Sequence, residues 1–158
     1  MTFQVGDTVI HSVHGLGEVV NIEERMIHEH IRNCYVVQTH NLTVWVPIEN
    51  GEQHSLRSPC SKREFKSLFR VLNGPCEPLP EDRLERKRLL LGLLKDGQLK
   101  SIFRVVRDLS SFANKKKLSD EDKAILERAS NSLLTEWVFS LGTPLNQARQ
   151  EMGELLNS

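Results

Sequence analysis

A chain of 158 residues has room for one compact domain or two small ones, and 39% hydrophobic with 27% charged residues is the balance of a folded chain rather than a disordered one. No apolar run approaches the roughly 20 residues a spanning helix needs, and residues 1–6 carry neither a basic n-region nor an apolar h-region, so neither a membrane partner nor a secretory leader is expected. The net charge of zero hides a division: over residues 1–55 Arg25 and Arg32 stand against seven acids for −5, while the other 19 Lys and Arg stand against 14 acids for +5. That asymmetry suggests two domains with different partners, the basic one suited to nucleic acid. Cys34, Cys60 and Cys76 are odd in number, widely spaced and without a C-x-x-C, which favours thiols in a reducing cytoplasm over a disulfide or zinc framework.

The first 55 residues read as strands. Segments 7–11, 18–27, 32–39 and 42–48 are rich in Val, Ile, Tyr, Thr and Trp with short breaks between them. His40-Asn41 is a tight connection in which Asn41 tolerates positive φ. Short strands joined by hairpins predict a small, bent antiparallel barrel of the Tudor or SH3 type. Gly15-Leu16-Gly17 lies where one strand passes into the next. No helix follows it, so it lacks the amides a phosphate loop needs and reads as a turn. His11 with His14, and His28-Glu29-His30, lack a third ligand at a recognisable spacing, so no metal is expected.

Within 42–48, alternation puts Leu42, Val44, Val46 and Ile48 on the core face and Thr43, Trp45 and Pro47 on the outer one. Pro47 removes a ladder donor and marks an edge strand. An outward Trp45 on such an edge has the character of a protein-docking anchor.

From residue 61 the period becomes helical. Ser61-Lys62-Arg63-Glu64 is a capping box that opens a helix with Phe65, Leu68, Phe69 and Leu72 on one face, ended by Gly74-Pro75. A second helix is expected over 81–95, and a third carries Leu99, Ile102, Phe103, Val106 and Leu109 to a core. Ser119 caps a fourth, with Leu126, Ala129, Leu133, Trp137 and Leu141 as its buried stripe. Thr143-Pro144 starts a fifth, with Leu145, Ala148, Met152 and Leu155 aligned. The fold class is therefore α+β, with β first and then all-α: a small barrel over residues 1–57 followed by a five-helix domain over 61–158.

The run Arg83-Leu84-Glu85-Arg86-Lys87-Arg88 crowds like charges at i,i+3 and i,i+4 in the first half of a helix, where the macrodipole disfavours cations. A phosphate backbone beside the helix would offset that cost. No nucleophile–base pair or paired carboxylates stand out, so neither catalysis, a cofactor nor a small-molecule substrate is expected.

Together these residues resemble the CarD/CdnL family of bacterial RNA polymerase-binding transcription regulators. The resemblance rests on Phe3-x-Val5-Gly6-Asp7-x-Val9 with His14-Gly15, Ile22-Glu23, Leu42-Thr43-Val44-x-Val46-Pro47, Val105-Val106-Arg107-Asp108-Leu109 and Leu118-Ser119. It implies a Tudor-like domain that grips the polymerase β subunit and a helical domain that touches upstream promoter DNA and stabilises the open complex. Arg25 matches a polymerase-contacting arginine, and Trp45 falls where some relatives carry a second one, with Thr43 and Pro47 beside it. Arg88 matches a basic DNA-facing position in a set with Arg83, Leu84, Arg86 and Lys87. Arg83 stands where several relatives carry a tryptophan that wedges into the minor groove, and Leu84 is the smaller wedge if the helix starts one residue later. An adaptor on polymerase without DNA contact is the alternative reading.

Overall fold

The computed structural model describes residues 2–48 and 55–158, and the chain divides into two compact units, Met1–Pro59 and Cys60–Ser158. The first holds, among the described residues, five strands: β1 (Thr8–His11), β2 (Gly15–Ile27), β3 (His30–Thr39), β4 (Thr43–Pro47) and β5 (Leu56–Arg57). They form one antiparallel sheet in the order β4-β3-β2-β1-β5, so β4 and β5 are its edges, as the proline in β4 anticipates. Val46 from one edge strand and Leu56 from the other enter the same core with Val9, Val19, Tyr35 and Val37. Phe3 closes it, donating its N–H to the Tyr35 hydroxyl at 3.0 Å while its ring meets Tyr35 edge-on at 5.6 Å.

The turns differ in detail from the sequence reading. The chain reverses over Ser12–His14, and Gly15–Gly17 already belongs to β2. Gly15 takes φ 76°, while a Cβ on Gly17 would lie 2.8 Å from Val37 Cγ1, so close cross-strand approach fixes that glycine. Positive φ falls at His28 (49°) and Glu29 (69°), the two-residue turn of the β2–β3 hairpin, and not at Asn41. In the turn at His40-Asn41, the Thr39 hydroxyl accepts the Leu42 N–H and donates to the Leu42 carbonyl, and Leu42 is exposed rather than in the core.

The second unit contains, among the described residues, six helical segments: α1 (Lys62–Ser67), α2 (Phe69–Leu72), α3 (Arg83–Lys95), α4 (Leu99–Lys115), α5 (Asp120–Leu141) and α6 (Leu145–Leu156). The single helix expected after Ser61 is interrupted at Leu68, and its cap is one-sided: Ser61 Oγ accepts the Glu64 N–H at 3.2 Å and donates to the Glu64 carboxylate. The reciprocal capping box is at Ser119 and Asp122 instead. Phe65 anchors the core, meeting Phe103 and Trp137 each at 5.5 Å, with Leu90, Leu94, Leu109 and Leu133 around them. Ile125 rather than Leu126 takes the deeper place on α5, and Leu145, at the first turn of α6, is exposed.

Candidate functional site

Two surfaces collect the residues singled out in the sequence. On the outer face of the sheet, residues two apart in β2 point the same way, so Glu23 and Arg25 share it. In the register, Glu23 pairs with Cys34 and Cys34 with Pro47, while Asn21 pairs with Val36 and Val36 with Trp45. Trp45 and Glu23 therefore lie on either side of β3, one step apart along it. The Trp45 indole Nε1–H donates to Glu23 Oε1 at 2.5 Å, Arg25 Nε lies 3.7 Å from the same oxygen, and the Arg25 guanidinium carbon sits 4.1 Å from the centre of the Trp45 ring. This is a cation–π stack held by one carboxylate. Arg25 is 48% exposed and Trp45 37%, so both are presented to solvent. Thr43 is exposed too, its hydroxyl donating to Gln38 Oε1 at 2.5 Å, and Pro47 is half-buried. Beneath the stack Cys34 and Val36 are buried although the core lies on the other face. Burial pushes the Cys34 thiol pKa up, against the opposing pull of Arg25.

His11 has a different role from ligation. Its Nδ1 accepts the backbone N–H groups of Val13 at 3.0 Å and His14 at 3.1 Å, and its ring packs on that of His14. Burial first, then the charge of His14, holds its pKa below the ordinary 6.5. Among the described residues no group of three or more His, Cys, Asp or Glu side chains is placed to hold a metal ion.

On the helical unit the run 83–88 separates into two sets. Arg83, Leu84 and Arg88 are exposed, Leu84 by 60%. Lys87 is half-buried and pairs with Glu121 at 2.9 Å. Arg86 does not belong with them. It is 3% exposed and makes a two-pronged ion pair with Asp122, Nε to Oδ1 at 2.9 Å and a terminal nitrogen to Oδ2 at 2.7 Å. Its other terminal nitrogen donates to the carbonyls of Pro80 and Glu81, and its guanidinium carbon lies 4.5 Å from the centre of the Phe112 ring. Its donors are taken up inside the domain, so Arg86 is held within the helical unit and is not presented with Arg83 and Arg88. Burial alone would raise the Asp122 pKa, but Arg86 and the Ser119 amide and hydroxyl together hold it below the ordinary 3.8.

Arg83 instead borders a shallow basin of about 480 Å³ with Lys116, Lys117 and Lys123, at the start of α5. Lys116 is partly engaged by Glu81 at 2.6 Å. Lys123 was invisible as a member of this group, because only the fold brings the start of α5 beside that of α3. Glu23 was likewise missed as part of the outer-face group, although its place two residues before Arg25 in a strand was a usable signal.

Known families match both units. Residues 3–59 match the CarD-like/TRCF RID domain, and residues 67–153 match the CarD C-terminal domain. The chain belongs to the CarD family. A relative from Bacillus subtilis (strain 168), named "Putative transcription factor YdeB", is 26% identical over 140 residues, which cover 85% of this chain and 89% of the relative. The expected class, a Tudor-like β unit followed by a helical domain in a CarD-family transcription regulator, therefore stands. No described helix is long and apolar enough to cross a membrane.

Proposed function

We propose that this CarD-family chain docks on the RNA polymerase β subunit through its β unit and presents the first turns of α3 to upstream promoter DNA, prolonging the life of the open complex. The observation that carries the reading is the solvent-facing Arg25–Trp45 stack beside the edge strand β4, within a domain that matches the CarD-like/TRCF RID domain. A rigid aromatic with a cation on its face, next to strand backbone that is unpaired among the described residues, suits capture of a protein strand. Thr43 and Pro47 flank it on the same edge.

For DNA, the contacting set is Arg83, Leu84, Lys87 and Arg88, without Arg86. Three cations supply only weak, salt-sensitive attraction to free DNA, but tethering to polymerase raises the local DNA concentration enough for weak contacts to count. The chain acts in the cytoplasm as a binding protein, without catalysis or cofactor. Open-complex lifetime measured with and without the protein, alongside retention of the β subunit on the immobilised chain, tests the reading. Retention with an unchanged lifetime on every promoter supports the second reading, an adaptor without DNA contact. The internal position of Arg86 and the pairing of Lys87 favour that alternative, because both thin the basic face.

A further inference from the structure

The outer face of the β unit depends on one acid that neither the family match nor the sequence reading assigns. β3 is buried on both sides from Cys34 to Val37: Tyr35 and Val37 turn into the core, and Cys34 and Val36 turn to the opposite face, where the Trp45–Glu23–Arg25 group bridges from β4 to β2. Strands two apart are separated by about 9.5 Å, a span the indole covers only by lying across β3. A small thiol and a valine below it leave room for that pose. The pose needs an anchor at the far side, and Glu23 supplies it by accepting the indole N–H, the only polar group Trp carries.

We infer that Glu23 is the positioning residue of the docking face: it holds the Trp45 ring flat across β3 and thereby fixes the platform on which Arg25 stacks. This rests on the reading of that face as the polymerase-docking surface. Simple charge counting gives the opposite expectation, since removing an acid beside Arg25 would strengthen attraction to an acidic partner. Two magnitudes decide between them. The Glu23–Arg25 pair is long, at 3.7 Å, and exposed, so it contributes little. Loss of orientation in an aromatic anchor, by contrast, removes much of what the anchor contributes.

The experiment uses the full chain and two readouts, affinity for RNA polymerase and the native-state rate of iodoacetamide alkylation at Cys34, followed by peptide mapping so that Cys60 and Cys76 serve as references. Glu23→Ala is expected to weaken polymerase binding about tenfold and to speed Cys34 alkylation. Trp45→Phe, which keeps a ring and loses the N–H, is expected to act in the same direction. Adding Glu23→Ala to Trp45→Phe should cost little more, because the shared hydrogen bond is already gone. Glu23→Gln, whose amide oxygen still accepts the N–H, should restore both readouts. A folded Glu23→Ala protein with unchanged Cys34 alkylation overturns the positioning role itself. Faster alkylation with unchanged polymerase affinity overturns the placement of docking on this face. Tighter polymerase binding by both Glu23→Ala and Glu23→Gln would show that charge, not orientation, governs the contact.

Discussion

Arg25 and Arg86 make the same two kinds of contact in opposite settings. Each lies over an aromatic ring, Trp45 at 4.1 Å and Phe112 at 4.5 Å, and each meets a carboxylate, Glu23 or Asp122. Arg25 is half in water and touches its acid through one long contact, whereas Arg86 is enclosed and every part of its guanidinium is engaged. An arginine whose donors are spent within its own domain stabilises that domain. One that keeps donors exposed above a rigid aromatic can be read by a partner. Exposure, more than residue type or local sequence, separates the two.

The largest expected effect comes from breaking the enclosed pair. Arg86→Ala leaves the Asp122 carboxylate buried without its counter-ion and should cost about 3–5 kcal/mol of unfolding free energy, read by urea denaturation monitored through helix signal. A cost below about 1 kcal/mol would mean that water reaches Asp122 and the enclosure is looser than the contacts imply. Any loss of DNA contact in that variant reports unfolding, which makes Arg86 a poor probe of the DNA face.

On the exposed side the expected loss is in binding. Trp45→Ala should weaken polymerase affinity by about 2 kcal/mol, with a smaller change in the stability of the β unit. An unchanged affinity, measured by titration with polymerase, would make Trp45 only the cover over Cys34 and Val36.

Much of this was legible in the sequence, for identifiable reasons. Period-two and period-3.6 patterns mark strands and helices directly, and Ser119 announces its helix through the three acids that follow it. β5 is only two residues long, too short for any alternation, and was not foreseen. The break at Leu68 has neither proline nor glycine to signal it. The burial of Arg86 is not what a charge run suggests, because such a run looks like one exposed face while its partners Phe112 and Asp122 lie far along the chain. A signal was nevertheless present. Arg86 stands four residues before Leu90 and eight before Leu94, both buried, so helical spacing puts it on the core stripe.

Acid should also distinguish the two units, by a smaller amount. The His11 pKa is lowered in the folded state, so its neutral form contributes stability that is complete above the ordinary 6.5 and is lost as pH falls through the folded value. Protonation at Nδ1 also removes the acceptor for Val13 and His14. The Asp122 pKa is lowered from 3.8, so the contribution of the Arg86 pair survives until pH falls below that range. Acidification from pH 7 to 5 should therefore destabilise the β unit by about 1 kcal/mol and leave the helical unit unaffected. Thermal unfolding at the two pH values, followed by amide exchange in each unit, checks the order. Equal loss in both units would show that the His11 turn is not the sensitive element.

The smallest and most specific effects concern Arg83 and Leu84, the exposed end of α3. If Arg83 enters a narrow minor groove, Arg83→Ala should shorten open-complex lifetime most on promoters rich in A·T upstream, and should reduce the salt slope by about 1. If Leu84, 60% exposed, acts as a wedge, Leu84→Ala should cost more than Arg83→Ala and show little salt dependence, because an apolar insertion releases few counterions. Neither variant touches the Arg86–Asp122 pair, so stability should hold in both and the kinetics can be read as contact. Arg83→Trp sharpens the test by placing an aromatic wedge on the same exposed turn. A marked gain in lifetime would show that this turn already sits against a base step and lacks only the wedge. No gain, in a folded protein that still binds polymerase, would mean that α3 faces elsewhere and that the exposed arginine of the β unit, Arg25, carries the function without help from the helical unit.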